Sequence, residues 1–207
     1  MSHPFRTAES RFHKDLIEIK KSASVFIDLR YCGINNFMQK DLYRGFQNAF
    51  LHQVAYEKFL NALKFLEIES PHLSFRVFDA LRPRSVQKIM YDYVTNTPMQ
   101  EYVANPKLGS VHNFGMAIDL TLNHRLGTRI DREVDMGTEF DDFTELAQPQ
   151  LEEKNLSLGK ISEEQFKNRL LLRKIMEKAG FEQLPHEWWH FNALPAKHVR
   201  EKFLIVE

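Results

Sequence analysis

Two short segments carry residue types that could do chemistry: Ser110-Val-His-Asn-Phe-Gly-Met-Ala-Ile-Asp119 and Glu187-Trp-Trp-His190. They supply two imidazoles and a carboxylate, with a second carboxylate three positions before the second histidine. That set suits a catalytic zinc ion, which takes three protein ligands and keeps one position open for water, while a nearby Glu serves as the base that deprotonates it. His112, Asp119 and His190 are the candidate ligands for one zinc per chain, and Glu187 is the candidate base. His3, His13, His52, His72, His124 and His198 stand in no comparable pattern.

These residues must be brought together by the elements around them. Helical and strand signals interleave without any fixed-period repeat, which predicts an α+β class. A first helix is expected over residues 8–22, and Val25, Ile27 and Leu29 then alternate with polar residues in a strand that ends before Tyr31. Ala55, Phe59, Ala62, Leu63 and Leu66 form a helical stripe suited to packing on a sheet. The alternation of Leu73, Phe75 and Val77 predicts a strand that delivers Asp79-Ala-Leu-Arg82-Pro83 at its exit, and Pro83 turns the chain there and starts the next helix. Residues 96–113 read as a loop leading into His112. In the strand that follows, Asp119 lies on the face opposite Ile118, Leu120 and Leu122, and Gly115 supplies the bend between the two ligands. Residues 143–160 read as a second long loop. Ser162-Glu-Glu-Gln165 is a capping box, the helix it opens stops at Gly180, and a final strand over 188–194 carries His190.

At 207 residues and 43% hydrophobic content, the chain can bury one substantial core and reads as a single domain, 1–207. Lys plus Arg and Asp plus Glu both number 28, so no overall field favours nucleic acid or an anionic membrane. The first residues contain no apolar run suited to a leader or membrane span, and the single Cys32 fits a reducing compartment. The expected location is therefore the cytoplasm. Cys32 itself reads as a small buried apolar residue.

His186-Glu-Trp-Trp-His190 also matches H-E-x-x-H, a zinc signature that works only when both histidines lie one helical turn apart. Here the segment follows Gly180 and Pro185 and is dense in strand-favouring aromatics, so His186 is not expected to be a ligand.

The spacing Ser110-x-His112-x-x-Gly115-x-Ala117-x-Asp119, followed by Glu187-x-x-His190, resembles the zinc D,D-peptidases, in particular the D-alanyl-D-alanine dipeptidases of the vancomycin-resistance type. The likeness runs from about Asp28 to Asn192. It includes Arg30-Tyr31, Asn36-Phe37, Met136-Gly137-Thr-Glu-Phe140-Asp141, Gly180-Phe181-Glu182, and Asp79-Ala-Leu-Arg82-Pro83 where the family usually has Asp-Gly-Tyr-Arg-Pro. Ala80-Leu81, Asn113-Phe114 and an extended N-terminus depart from the pattern and bear on fine substrate preference.

The resemblance implies a central, mainly antiparallel sheet flanked by helices, the hedgehog-like fold of zinc D,D-peptidases. It implies a small dipeptide as substrate, with Arg82 as the partner of the developing oxyanion, Asp141 meeting the substrate ammonium, and Tyr31 and Ser110 completing the pocket. Two other classes stay open: a D,D-carboxypeptidase acting on wall peptides, and a zinc-binding domain without catalysis. The presence of both Glu187 and Arg82 argues against the second, since a structural site needs neither a base nor an oxyanion partner.

Overall fold

The protein is described by a computed structural model covering residues 14–126 and 129–207. Its centre is a six-stranded sheet containing, in order, β2 (Val25–Ile27), β4 (Leu73–Asp79), β5 (Ala117–Leu126), β8 (His190–Asn192) and β7 (Glu182–Gln183), with β6 (Arg129–Glu133) also paired to β5. Among the described residues only the β2–β4 pair is parallel, so the sheet is mixed but mainly antiparallel. A second, two-stranded sheet joins β1 (Leu16–Glu18) to β3 (Phe50–His52). The helices are α1 (Gln53–Glu69), α2 (Arg84–Val94), α3 (Glu152–Ser157), α4 (Glu163–Lys178) and α5 (Ala196–Lys202).

The helical stripe behaves as its spacing predicts. Ala55, Phe59, Ala62 and Leu66 are buried on α1, and the Phe59 ring lies 5.8 Å from Phe75 on β4. In α4, the Ser162 hydroxyl accepts from Gln165 N at 3.1 Å while Gln165 Oε1 accepts from Ser162 N at 2.8 Å, the reciprocal cap expected from the sequence. Ile118, Leu120 and Leu122 lie on one face of β5. Thr121 and Asn123 on the other face are also buried, so the alternation separates apolar from polar rather than inside from outside.

Register decides what meets Asp119. On one side β5 pairs Asp119 with His190 of β8. On the other, the β4–β5 ladder shifts between Val77 and Asp79, so that Asp79 rather than Phe78 stands opposite Asp119. Cross-strand partners share a face, and this β-bulge therefore creates a row of Asp79, Asp119 and His190 across three strands.

Two expectations need correction. Residues 8–13 of the expected first helix lie outside the described residues, and residues 14–22 are not helical: Leu16–Glu18 form β1. Pairing with β3 decides this, with Ile19 N donating to Ala49 O at 2.8 Å and Gln53 N to Asp15 O at 2.7 Å, and it outweighs the helical propensity of the Leu, Glu and Lys residues. Residues 143–160 are not a structureless loop. They hold two 3-10 turns, Glu145–Ala147 and Pro149–Leu151, and then α3. Polar groups buried within the segment organise it: Asn155 Nδ2 donates to Glu145 O at 3.0 Å, and Glu152 pairs with Arg169 and Arg173.

Gly115 ends the 3-10 turn Val111–Phe114 with φ 65° and ψ 22°. A Cβ placed there would lie 2.8 Å from His52 N, the same group that donates to Gly115 O at 2.8 Å. Gly115→Ala is expected to lower the unfolding free energy by about 1–3 kcal/mol, from a left-handed conformation plus a backbone collision. Denaturant titration of both proteins checks this, and equal midpoints would remove the steric argument.

Candidate active site

The turn carrying His112 is stitched to its surroundings from several sides. Arg82 N donates to His112 O at 3.1 Å, and Asn113 Nδ2 donates to Arg82 O at 2.7 Å. The His112 ring is oriented by Ala80 O, 2.6 Å from Nδ1, which fixes the proton on Nδ1 and leaves Nε2 as a lone-pair donor. His190 has the opposite arrangement: Nε2 lies 2.9 Å from Asn192 Oδ1, so Nδ1 is the free nitrogen.

The two free nitrogens converge on Asp119. His112 Nε2 and His190 Nδ1 are 3.1 Å apart, and Asp119 Oδ1 lies 3.3 Å and 2.9 Å from them respectively. A tetrahedral ion bound at about 2.0–2.2 Å requires ligand atoms about 3.3 Å apart, close to the sides of this triangle. Asp119 Oδ1 is buried without a hydrogen-bond partner, as a metal ligand would be before the ion is considered. Burial alone would raise the Asp119 pKa; when His112 and His190 are protonated, their charge and N–H groups hold it well below the usual carboxylate range. Among the described residues this is the cluster of His, Cys, Asp or Glu side chains able to hold a metal ion. His186 stands apart, with Nδ1 3.3 Å from Gln150 Nε2, in a turn rather than a helix.

Glu187 is buried, with Oε2 3.8 Å from His190 Nδ1. Burial pushes its carboxyl up to about 7; Asp119 and Asp141 add to the rise, and His190 and Arg82 oppose it. Arg82 is held on two sides. Its Nε and Nη2 donate to Asp79 Oδ2 at 2.9 and 2.7 Å, and Nη1 donates to Gln87 Oε1 at 2.9 Å. Its guanidinium lies 4.9 Å over the Tyr31 ring, with Nη2 3.7 Å from Asp119 Oδ2. Tyr43 also makes a side-chain hydrogen bond with Arg82, so Nη2, beside Asp119, is the end of the guanidinium nearest the ligand cluster.

Asp141 occupies a left-handed backbone position, φ 63°. It accepts from Tyr31 Oη at 2.9 Å and from Phe37 N at 3.2 Å. Burial of the carboxyl pushes its pKa up to about 7 in spite of these donors and of Arg82. The segment carrying Asp141 is clamped by Arg169, a fully buried residue of α4, whose Nε donates to Met136 O at 2.6 Å and Nη1 to Leu146 O at 2.8 Å. Ser110 is buried, and its N–H donates to Asn113 Oδ1 at 2.8 Å.

All eight residues singled out in the sequence line one cavity of about 160 Å³, with Phe37, Tyr102, Phe143 and Trp189 among its walls. Three positions close to the ligands carry work that sequence reasoning did not assign: Asp79 and Gln87 pin Arg82, and Asn192 orients His190. Asn192 lies two residues after His190 on one strand, a spacing that places both on one face. Asp79 needed the bulge.

A buried His-Asp-His group at the end of a sheet, flanked by a carboxylate and a pinned arginine inside a small cavity, defines a metallohydrolase. The profile of a family described as D-ala-D-ala dipeptidase matches residues 14–207, and the chain belongs to that family of metallopeptidases. The D-alanyl-D-alanine dipeptidase of Escherichia coli K12 is 30% identical over 182 residues, covering 86% of each chain. The enzyme of that name from Synechocystis is 34% identical over 152 residues, 59% of this chain and 60% of its own. That of Enterococcus faecium is 39% identical over 103 residues, 49% of this chain and 45% of its own.

Alanine at His112, Asp119 or His190 is expected to abolish stoichiometric metal in the purified protein, whereas His186→Ala keeps it. Metal analysis of the four variants is the measurement, and retention in His112→Ala with loss in His186→Ala would reverse the assignment.

Proposed function

We propose that this protein hydrolyses D-alanyl-D-alanine to two molecules of D-alanine, using one zinc ion per chain held by His112, Asp119 and His190. The observation that carries the reading is the unpartnered Asp119 Oδ1 facing two oriented imidazole nitrogens, with Glu187 and Arg82 both within 4 Å of that group. When bound, zinc supplies Lewis acidity, polarising the scissile carbonyl and making water acidic near neutral pH.

The protein's own groups do the rest. Glu187 Oε2 accepts the proton from the attacking water and hands it to the nitrogen of the leaving D-alanine. The Nη2 end of Arg82, beside Asp119, donates to the carbonyl oxygen as it gains charge. Because Asp79 and Gln87 hold the guanidinium in place beforehand, little reorganisation is needed at that moment. Asp141 receives the substrate ammonium: an enclosed carboxyl whose pKa stands at about 7 is short of a cation, and the ammonium supplies one. Tyr31 Oη and Phe37 N aim that carboxylate, and Ser110 closes the pocket beside His112. A cavity this small, walled by aromatic rings, suits methyl side chains. Among the described residues no helix is long and apolar enough to cross a membrane. A cytoplasmic location is part of this proposal, and Cys32 would stay reduced there.

Glu187→Gln is expected to keep its metal and lose nearly all turnover of D-Ala-D-Ala, while Arg82→Ala loses on the order of 10²-fold, mainly in kcat. A loss confined to KM would move Arg82 to ground-state binding. N-acetyl-D-Ala-D-Ala lacks the ammonium and leaves Asp141 unpaired, so it should be a very poor substrate. Asp141→Asn should narrow the ratio of kcat/KM between free and acetylated dipeptide. Rapid cleavage of the acetylated compound by the unmodified enzyme would instead mark a carboxypeptidase.

A further inference from the structure

A free dipeptide presents two charges, and the residues discussed so far account for one. The ammonium has Asp141, but the C-terminal carboxylate has no assigned partner. Of the residues lining the cavity, two are permanent cations, Arg82 and Arg200. Arg82 already has its counter-charge in Asp79, against which it is buried, and its Nη2 lies 3.7 Å from Asp119 Oδ2 among the metal ligands. Arg200 differs on each point. It projects from α5, whose Ala196 also lines the cavity, and its Nε donates to Gly109 O at 3.1 Å, immediately before Ser110 and the His112 turn. Among the described residues no carboxylate pairs with Arg200, and its two terminal nitrogens are uncommitted.

We propose that Arg200 is a specificity-determining residue that receives the C-terminal carboxylate of the dipeptide. The inference rests on the dipeptidase reading and extends it to the other end of the substrate. Anchoring through Nε leaves the planar pair of terminal nitrogens to meet a carboxylate in the two-pronged geometry that guanidinium favours. The two ends of the substrate are then held by separate elements. The ammonium is met from the segment clamped by α4, and the carboxylate from α5 at the Gly109–Ser110 corner, and the metal ligands line the same cavity. This arrangement also explains how the site measures length. A peptide extended at its C-terminus would place an uncharged amide, and further bulk, where Arg200 expects a carboxylate.

The test compares kcat/KM for D-Ala-D-Ala and for its C-terminal amide, in the unmodified enzyme and in Arg200→Gln and Arg200→Lys. The unmodified enzyme is expected to favour the free acid by about 10-fold or more, in line with a charge-assisted hydrogen bond at a partly solvated site. Arg200→Gln should bring the ratio close to one by losing activity on the free acid, chiefly in KM, while activity on the amide stays within about twofold. Arg200→Lys should restore part of the preference. An unchanged ratio in Arg200→Gln overturns the proposal. An equal fall on both substrates does so too, since it would mean that the bond to Gly109 only supports the turn. If the unmodified protein cleaves neither compound, the dipeptidase reading fails and the proposal falls with it. Cleavage of the free acid with no effect of Arg200→Gln removes the proposal alone.

Discussion

The rest of this structure depends on a carboxylate, Asp119, placed in the middle strand of a sheet covered on both faces. An ionised carboxyl in such a position is costly unless positive charge or strong donors surround it. Three groups converge on it: Arg82, a permanent cation at the exit of β4, and His190 across the ladder and His112 from the turn before β5, whose facing nitrogens meet the demand when they carry protons or share a bound cation with it. Each neighbour then needs its own support, and the polar network grows outward from there. Asp79 and Gln87 hold Arg82, Asn192 and Ala80 O orient the two rings, and Asn113 ties the His112 turn to the backbone of Arg82.

The two imidazoles are used through opposite nitrogens. His112 reaches in from a turn and offers Nε2. His190 sits on the strand beside Asp119 and offers the nearer Nδ1. Each choice is set by an acceptor on the far side of the ring, so the tautomers are built into the fold before any ion arrives. The same logic holds for Asp141. Its left-handed backbone would be unfavourable in an unsupported loop, but Arg169 grips the segment on both sides of it and Trp188 Nε1 donates to Thr138 Oγ1 at 2.7 Å.

Much of this was legible in the sequence because the signals were local. Leu73, Phe75 and Val77 announce β4, the Ser162 box announces α4, and the types and spacing of His112, Asp119, Glu187 and His190 announce a metal site. Features decided by partners far along the chain were not legible. Leu16–Glu18 is a strand because Phe50–His52 lies beside it, although its own residues favour a helix. Residues 143–160 look like loop because their organising groups are polar, and only the fold shows that Glu152 and Asn155 are buried and paired. The clamp of Arg169 on Met136 and Leu146 and the approach of Arg200 to Gly109 lie in the same class: long-range contacts between a side chain and a distant carbonyl leave no periodicity to read.

The extra residue in β4 carries a further meaning. A ladder without the register shift would set Phe78 opposite Asp119, and the sheet would be more regular for it. The ring, however, would stand where Asp79 now anchors Arg82, and the guanidinium would lose its seat. Deleting Phe78 would instead restore the ladder with Asp79 still opposite Asp119, and what it would remove is a buried ring 5.0 Å from Phe140 and beneath the Arg30 guanidinium. The bulge thus lets one strand serve the core through Phe78 and the reactive centre through Asp79 at the same level of the ladder.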